Sequence, residues 1–413
     1  MGKSIEGERV MSGRKLKIMY IHDVPIYKNN QGNYFTLHFS YEFMKNMFLN
    51  VFDEVIVTTR CRDISVLDKK KQERVLPMNG EKVYCKPCYS YEYGKDIQAI
   101  LNINLIRKEM RKTLQDVDCV IAMFPGILST VAYFEAKKIN KPFVSFLGAC
   151  PWDIFWNSSK IIGRLSAPIF WWFTRYICKK SKWVWYVTDE FLQRRYPSKN
   201  EQFVCSDVVI RDADEKVLDN KQGKLFSLKK SDKIVLGTAA TVQARHKGQE
   251  YGIEAISILN KSGYNFEYQL VGTGDCSYLK SVAERFGVLD KVVFKGFLSE
   301  DELYNWYDNI DIYIQPSLQE GLPRALIEAM SRGCACIGST TGGIPELLQK
   351  EYIFERKNVK STVKIIENLI NDMPKCSMAA FVKSQNFRPD LLKEKQTDFL
   401  IKIKAHIESG ENS

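Results

Sequence analysis

The 413-residue sequence has no run of about 18 or more apolar residues, so no transmembrane helix is expected. Its opening, MGKSIEGERVMSGRKLKIMY, lacks the apolar core of a secretory signal. The Met-Gly start is followed by Glu6, a poor match to a myristoylation signal, and residues 1–14 are expected to form a disordered leader. Histidine is scarce, with only four in the chain; His22 and His38 are expected to be structural. The eleven cysteines lack regular spacing. Cys85 and Cys88 form a CxxC with no second pair at zinc spacing, so no metal is expected. Cys334 and Cys336 sit in an apolar segment and read as small buried hydrophobes, and the whole set suits a reducing cytoplasm. No internal repeat or low-complexity tract is present. The net charge of +11 comes with no nucleic-acid motif, so nucleic acid is not expected as a partner. Anionic lipid and phosphorylated substrates remain as reasons for the basic balance.

What is present reads as a globular α/β chain, 45% hydrophobic and 26% charged. Strands are expected at Leu16–Ile21, Glu54–Thr59, Val117–Met123, Pro142–Phe146 and Trp183–Thr188. A polar loop is expected over His22–Asn33, and helices over Tyr34–Phe48 and Ile127–Lys138. Polar residues Arg211–Asp232 read as a linker and loop. A second alternation follows, with strands at Lys233–Gly237, Glu267–Gly272, Val292–Lys295 and Ile310–Ile314. Its helices are expected at Gly248–Asn260, Cys276–Phe286, Glu300–Asn309 and Pro323–Ser331. Two such α/β series predict two Rossmann-like, doubly wound domains, 15–205 and 230–388, facing a cleft.

The most specific segment is Gln315–Glu346, QPSLQEGLPRALIEAMSRGCACIGSTTGGIPE. It places Glu320 on a strand-to-helix loop and Glu328 about two turns further on. Loops at the carboxyl ends of parallel strands are where open α/β folds bind ligands. Pro345-Glu346 reads as a helix start, because proline suits the first helical position. Upstream, GTAATVQARHKGQ sets Arg245 and Lys247 on a loop before a helix opening near Gly248. Cations and helix N–H groups there suit a phosphate. Gly272 and Gly274 (LVGTGD) permit close backbone approach at a strand end.

These phrases resemble the retaining glycosyltransferases of the large family 4, whose fold is GT-B. The resemblance covers roughly residues 16–390, and is closest to bacterial enzymes that build capsular and exopolysaccharide repeat units. It implies that Glu320 lies against the transferred sugar, that Glu328 holds the ribose, and that Gly321, Leu322, Pro323 and Gly343 line sugar and phosphate. Lys247 matches the family's diphosphate lysine. The family's arginine position is Thr241 or Val242 here, which leaves Arg245 or Arg324 as its replacement. Gly296 and Phe297 fall at the strand end that contacts the base. The last helix, 389–408, is implied to return to the first domain.

The other half is implied to take the acceptor. Its first loop, DVPIYKNNQGN, keeps only Gly32 of the family's glycine-rich turn, with Asn33 beside it. In LGACPWD, where many relatives carry a histidine, Asp153 is the nearest ionisable group. It either moves the acceptor proton or caps the helix that follows. Ile154–Lys182 mixes aromatic and aliphatic residues with lysine and arginine. It reads either as a surface for anionic membrane or as a core helix with a basic outer face, and Pro168 is expected to interrupt any long helix.

The resemblance implies a cytoplasmic hexosyltransferase, peripheral on the membrane's inner face. A UDP- or GDP-linked sugar would be the donor and a saccharide, lipid-linked or not, the acceptor. Anomeric configuration would be retained with no metal or other cofactor. Two other functions fit the same residues: a sugar-nucleotide epimerase of this fold, and a non-catalytic sugar-nucleotide-binding protein.

Overall fold

The computed structural model describes residues 14–88, 98, 101–157, 161–208, 210–211, 215–229 and 231–410. Apart from Arg14, the expected leader lies outside them. The chain packs into two compact units. One takes the described residues up to Val144 and those from Thr397 onward, and the other runs from Ser145 to Gln396.

In the first unit the strands lie in the order Val83–Cys85, Glu54–Thr58, Lys17–Ile21, Cys119–Phe124 and the start of Phe143–Leu147. Lys17–Ile21 pairs in parallel with both of its neighbours. Its apolar run, KIMYI, is buried almost throughout, as suits a parallel strand covered on both faces. The helix Ile127–Lys138 forms as expected. Its first N–H groups, at Ile127 and Leu128, donate to the carboxylate of Asp23, which follows the first strand.

Two expectations fail here. His22–Asn33 is not a plain loop: Ile26–Lys28 is a strand that turns back onto Tyr34–Thr36. The Asn29 side chain accepts from the N–H groups of Gln31 and Asn33, and Gly32 takes φ 85°. The helix expected from Tyr34 begins only at Tyr41, where the Ser40 hydroxyl accepts the N–H of Phe43. Tyr34 and Phe35 suit a pleated strand, and that pairing takes precedence over the helical period.

In the second unit, the remainder of Phe143–Leu147 is followed in order by Trp183–Tyr186 and Glu201–Val204. A separate parallel sheet runs Val292–Gly296, Asn265–Val271, Lys233–Ala239, Ile312–Gln315, Ala335–Ser339, Ile353–Phe354. Numbered along the chain, that order is 3-2-1-4-5-6, the doubly wound arrangement whose direction of winding reverses between its first and fourth strands.

The segment expected to be a linker contains a helix, Glu215–Ser227. Leu218, Lys221 and Leu225 form its buried face. The Lys221 ammonium donates to the carbonyls of Tyr307 (3.0 Å), Asp308 (2.7 Å) and Ile310 (2.5 Å), at the end of helix Glu300–Asn309. A lysine serving as a buried helix-end cation reads as solvent in a sequence pattern, which hides the apolar stripe. The helix Ile161–Lys180 likewise runs through Pro168. Pro168 is exposed, so the carbonyl its ring leaves unpaired falls on the solvent side. Cys334 and Cys336 are buried.

Candidate functional site

The site sits where the winding of the six-stranded sheet reverses, at the carboxyl ends of Lys233–Ala239 and Ile312–Gln315. After the first of these strands the chain makes a single 3-10 turn, Arg245–Lys247, and leaves it through Gly248 at φ 69°. A Cβ at residue 248 would stand 2.1 Å from the Pro316 carbonyl oxygen, so only glycine lets the two loops meet. The Leu318 N–H donates to the His246 carbonyl at 2.7 Å and joins them.

This contact brings Lys247 to Glu320. The Lys247 ammonium donates to Glu320 Oε1 at 2.8 Å. The same oxygen accepts from the Ser317 hydroxyl at 2.6 Å and from Gln315 Nε2 at 3.0 Å. Gln315 is itself held by the Tyr313 hydroxyl, which donates to its Oε1 at 2.9 Å. Tyr313, Gln315 and Ser317 are buried, so Glu320 is set by a rigid polar chain running out of the strand. Sequence reasoning singled out none of these three supporting residues. The available signal was a Gln and a Ser at the end of an otherwise apolar strand.

Glu328 has a different environment. It projects from helix Arg324–Ser331 and accepts from the Tyr307 hydroxyl at 3.0 Å. Burial pushes its carboxyl above the usual range, while the Tyr307 hydroxyl and the Arg324 charge pull it down. Arg324 also acts electrostatically on half-buried Asp207. Arg245 turns elsewhere: its guanidinium stacks 3.7 Å from the centre of the Tyr278 ring.

Backbone closes in around Glu320. The Gly343 N–H donates to the Gly321 carbonyl at 2.8 Å. A Cβ on Gly321 would lie 2.3 Å from the Gly148 carbonyl, in the LGACPWD segment. The Gly272 N–H donates to the Gly296 carbonyl at 2.8 Å, and Gly274 packs against Gln243. Phe297 is exposed beside them. Pro323 is buried at the start of the Glu328 helix, and Leu322 lines a cavity of ≈ 260 Å³ with Val187, Glu346 and Lys383.

Asp153 is not the helix cap. It lies in the first turn of Pro151–Trp156, buried, with the Arg195 guanidinium 3.1 Å from Oδ1. Gly32 and Asn33 belong to the first unit, on the hairpin turn described above. Glu346 opens a short helix, Ile344–Leu347, as its Pro345 neighbour suggested. Its partners were not legible in the sequence: the carboxylate accepts the N–H groups of Asp189 (2.5 Å), Glu190 (3.2 Å) and Phe191 (2.6 Å).

Residues 221–381 match the family model for glycosyl transferases group 1. The similarity to that family covers this segment of the chain. Lys247, Glu320 and Glu328 all lie within it. The chain is 29% identical over 357 residues to protein CapJ of Staphylococcus aureus, covering 86% of each. It is 38% identical over 110 residues to the amylovoran biosynthesis glycosyltransferase AmsK of Erwinia amylovora, 25% of this chain and 27% of that protein. Among solved structures it resembles Anabaena Alr3699/HepE in complex with UDP-glucose, with a TM-score of 0.63 at 15% identity, over 94% of this chain and 100% of that one. At that identity the likeness is one of fold, and the chain has the GT-B fold with two Rossmann-like domains.

Proposed function

We propose that the protein transfers a hexosyl group from a nucleotide sugar to a saccharide acceptor, with retention of anomeric configuration, in the assembly of a cell-surface polysaccharide. The observation that carries this is the Lys247–Glu320 pair at the reversal point of the donor sheet. Glu320 holds the transferred sugar. Lys247 meets the diphosphate, and its charge offsets the negative charge that develops as the diphosphate leaves. Glu328 accepts from the ribose hydroxyls. Backbone N–H groups of Gly321 and Leu322 face sugar and phosphate, Pro323 and Gly343 line the same place, and Arg324 or Arg245 is a second cation.

The bond from the anomeric carbon to the diphosphate oxygen breaks as the acceptor oxygen bonds on the same face. The acceptor proton passes to the departing diphosphate, so no protein nucleophile forms a covalent intermediate. Asp153 serves as a positioning group for the acceptor, and the turn at Gly32 and Asn33 as part of the acceptor loop. No metal is needed, and transfer is expected to continue in EDTA. The names of CapJ and AmsK support a capsular or exopolysaccharide acceptor, which is lipid-linked and brings the enzyme to the inner face of the membrane.

A screen of UDP-, GDP- and ADP-sugars by thermal shift identifies the donor, because a ligand bound only by the folded state raises the melting temperature. NMR of the product made with that donor is expected to show the donor's anomeric configuration. An inverted product overturns the mechanism, and an epimerised sugar nucleotide formed without acceptor overturns transfer itself.

A further inference from the structure

The helix Ile161–Lys180 buries one side and leaves the other bare. Ala167, Thr174, Ile177 and Cys178 are buried. On the opposite side Ile161, Leu165, Ile169 and Trp172 stand at helical spacing, each more than half exposed, with Ile161 at 73% and Leu165 at 71%. Trp156, at the end of the preceding short helix, is also exposed, as is Ile162. Isolated exposed apolar residues are ordinary, whereas a continuous stripe of them marks an interaction surface.

The charge around the stripe selects the partner. From Ile154 to Lys182 the sequence has no acid, but it holds Lys160, Arg164, Arg175, Lys179, Lys180 and Lys182. Arg164, Arg175, Lys179 and Lys180 are exposed along the helix. Apolar side chains flanked by tryptophan and cations of a single sign are the composition of a helix lying in a membrane interface. A second copy of the chain fits poorly, because a two-fold contact would set these cations against one another with no carboxylate on the helix to meet them. No helix among the described residues is long and apolar enough to cross a membrane.

We infer that Ile161–Lys180 is a peripheral docking surface for an anionic lipid bilayer, with Ile161, Leu165, Ile169 and Trp172 entering the interface and the cations resting on the headgroups. This deepens the proposed function by naming the surface that meets a lipid-linked acceptor, and it is tested without the transfer reaction.

The test is co-sedimentation of the full chain with phosphatidylcholine vesicles, with and without phosphatidylglycerol. Binding to the anionic vesicles is expected to exceed binding to the neutral ones by roughly tenfold or more. The double variant Leu165→Glu/Trp172→Glu should lower it by about tenfold or more. Phe226→Ser, at an exposed apolar residue away from the stripe, should leave it unchanged. Lys179→Glu/Lys180→Glu tests the charge separately and remains informative if the first pair fails to fold. Failure of the folded wild type to bind anionic vesicles overturns the proposal. So does a wild-type dimer in solution that Leu165→Glu/Trp172→Glu converts to monomer. A protein that binds vesicles yet transfers no sugar would leave the docking surface standing and sink only the transferase function.

Discussion

The ammonium of Lys247 lies 2.8 Å from Oε1 of Glu320, across 73 residues of sequence. Two adjacent loops of the sheet thus bring one cation and one carboxylate to the same point. The pair is half of a network rather than an isolated bridge, since Ser317 and Gln315 bond the same oxygen.

Lys247→Ala and Glu320→Ala should each lower kcat by about 100-fold or more, because each removes a charge aimed at the reacting groups. Arg245→Ala should cost less than about tenfold, its guanidinium being stacked on Tyr278. Initial rates with the identified donor, alongside circular dichroism to confirm folding, provide the check. Full activity in either of the first two variants refutes the site.

Gly248→Ala should destabilise the protein by about 2 kcal/mol or more, since it adds a clash with the Pro316 carbonyl to an unfavourable positive φ. Gly296→Ala carries a similar φ, 71°, but meets open space, and should cost about 1 kcal/mol. Urea midpoints of the two variants measure the difference, and equal shifts would mean that the close approach at Gly248 carries no weight.

Glu346→Ala strips the acceptor from three N–H groups at Asp189, Glu190 and Phe191, and should cost about 2 kcal/mol. Glu346→Gln keeps one acceptor oxygen and should cost less. Thermal unfolding of both variants orders them. The same stability for Ala and Gln would show that the carboxylate is not what holds this turn.

Glu328 gives a pH dependence. Its carboxyl titrates above the usual range in the folded chain because of burial. The folded state therefore holds that proton more tightly than the unfolded one. The resulting stability is fully present below the ordinary carboxylate value and is lost as pH rises through the folded value. Ribose hydroxyls need the ionised form as acceptor, so donor affinity should weaken as pH falls through the same window. Glu328→Gln should remove both trends. Calorimetric titration with a nucleotide sugar, whose diphosphate diester does not titrate there, reads the affinity. An unchanged slope in the variant would assign the effect to another group.

Much of the candidate site was legible because it lies in one stretch of chain. Gln315–Glu346 alone places both carboxylates, the glycine turn and the proline helix start. Strands of the six-stranded sheet could be read from their apolar runs, and helices Ile127–Lys138 and Glu300–Asn309 from their periods. Glu215–Ser227 escaped because its buried face includes a lysine. Tyr34–Thr36 escaped because its partner strand was hidden in a polar segment. Pro168 misled because its cost depends on which side of the helix it faces.

The sequence by itself determined the α/β series, the loops that end its strands, and the residue types that suit a sugar diphosphate. Local propensity and periodicity suffice for these, because they depend on neighbours along the chain. Only the tertiary structure decided which groups meet. It paired Lys247 with Glu320, placed Arg245 on Tyr278, set Asp153 against Arg195 and gave Glu346 three backbone partners. It also left the outer side of Ile161–Lys180 bare. Such contacts depend on strand order and on close backbone approach at positions such as Gly248, and no sequence spacing encodes them.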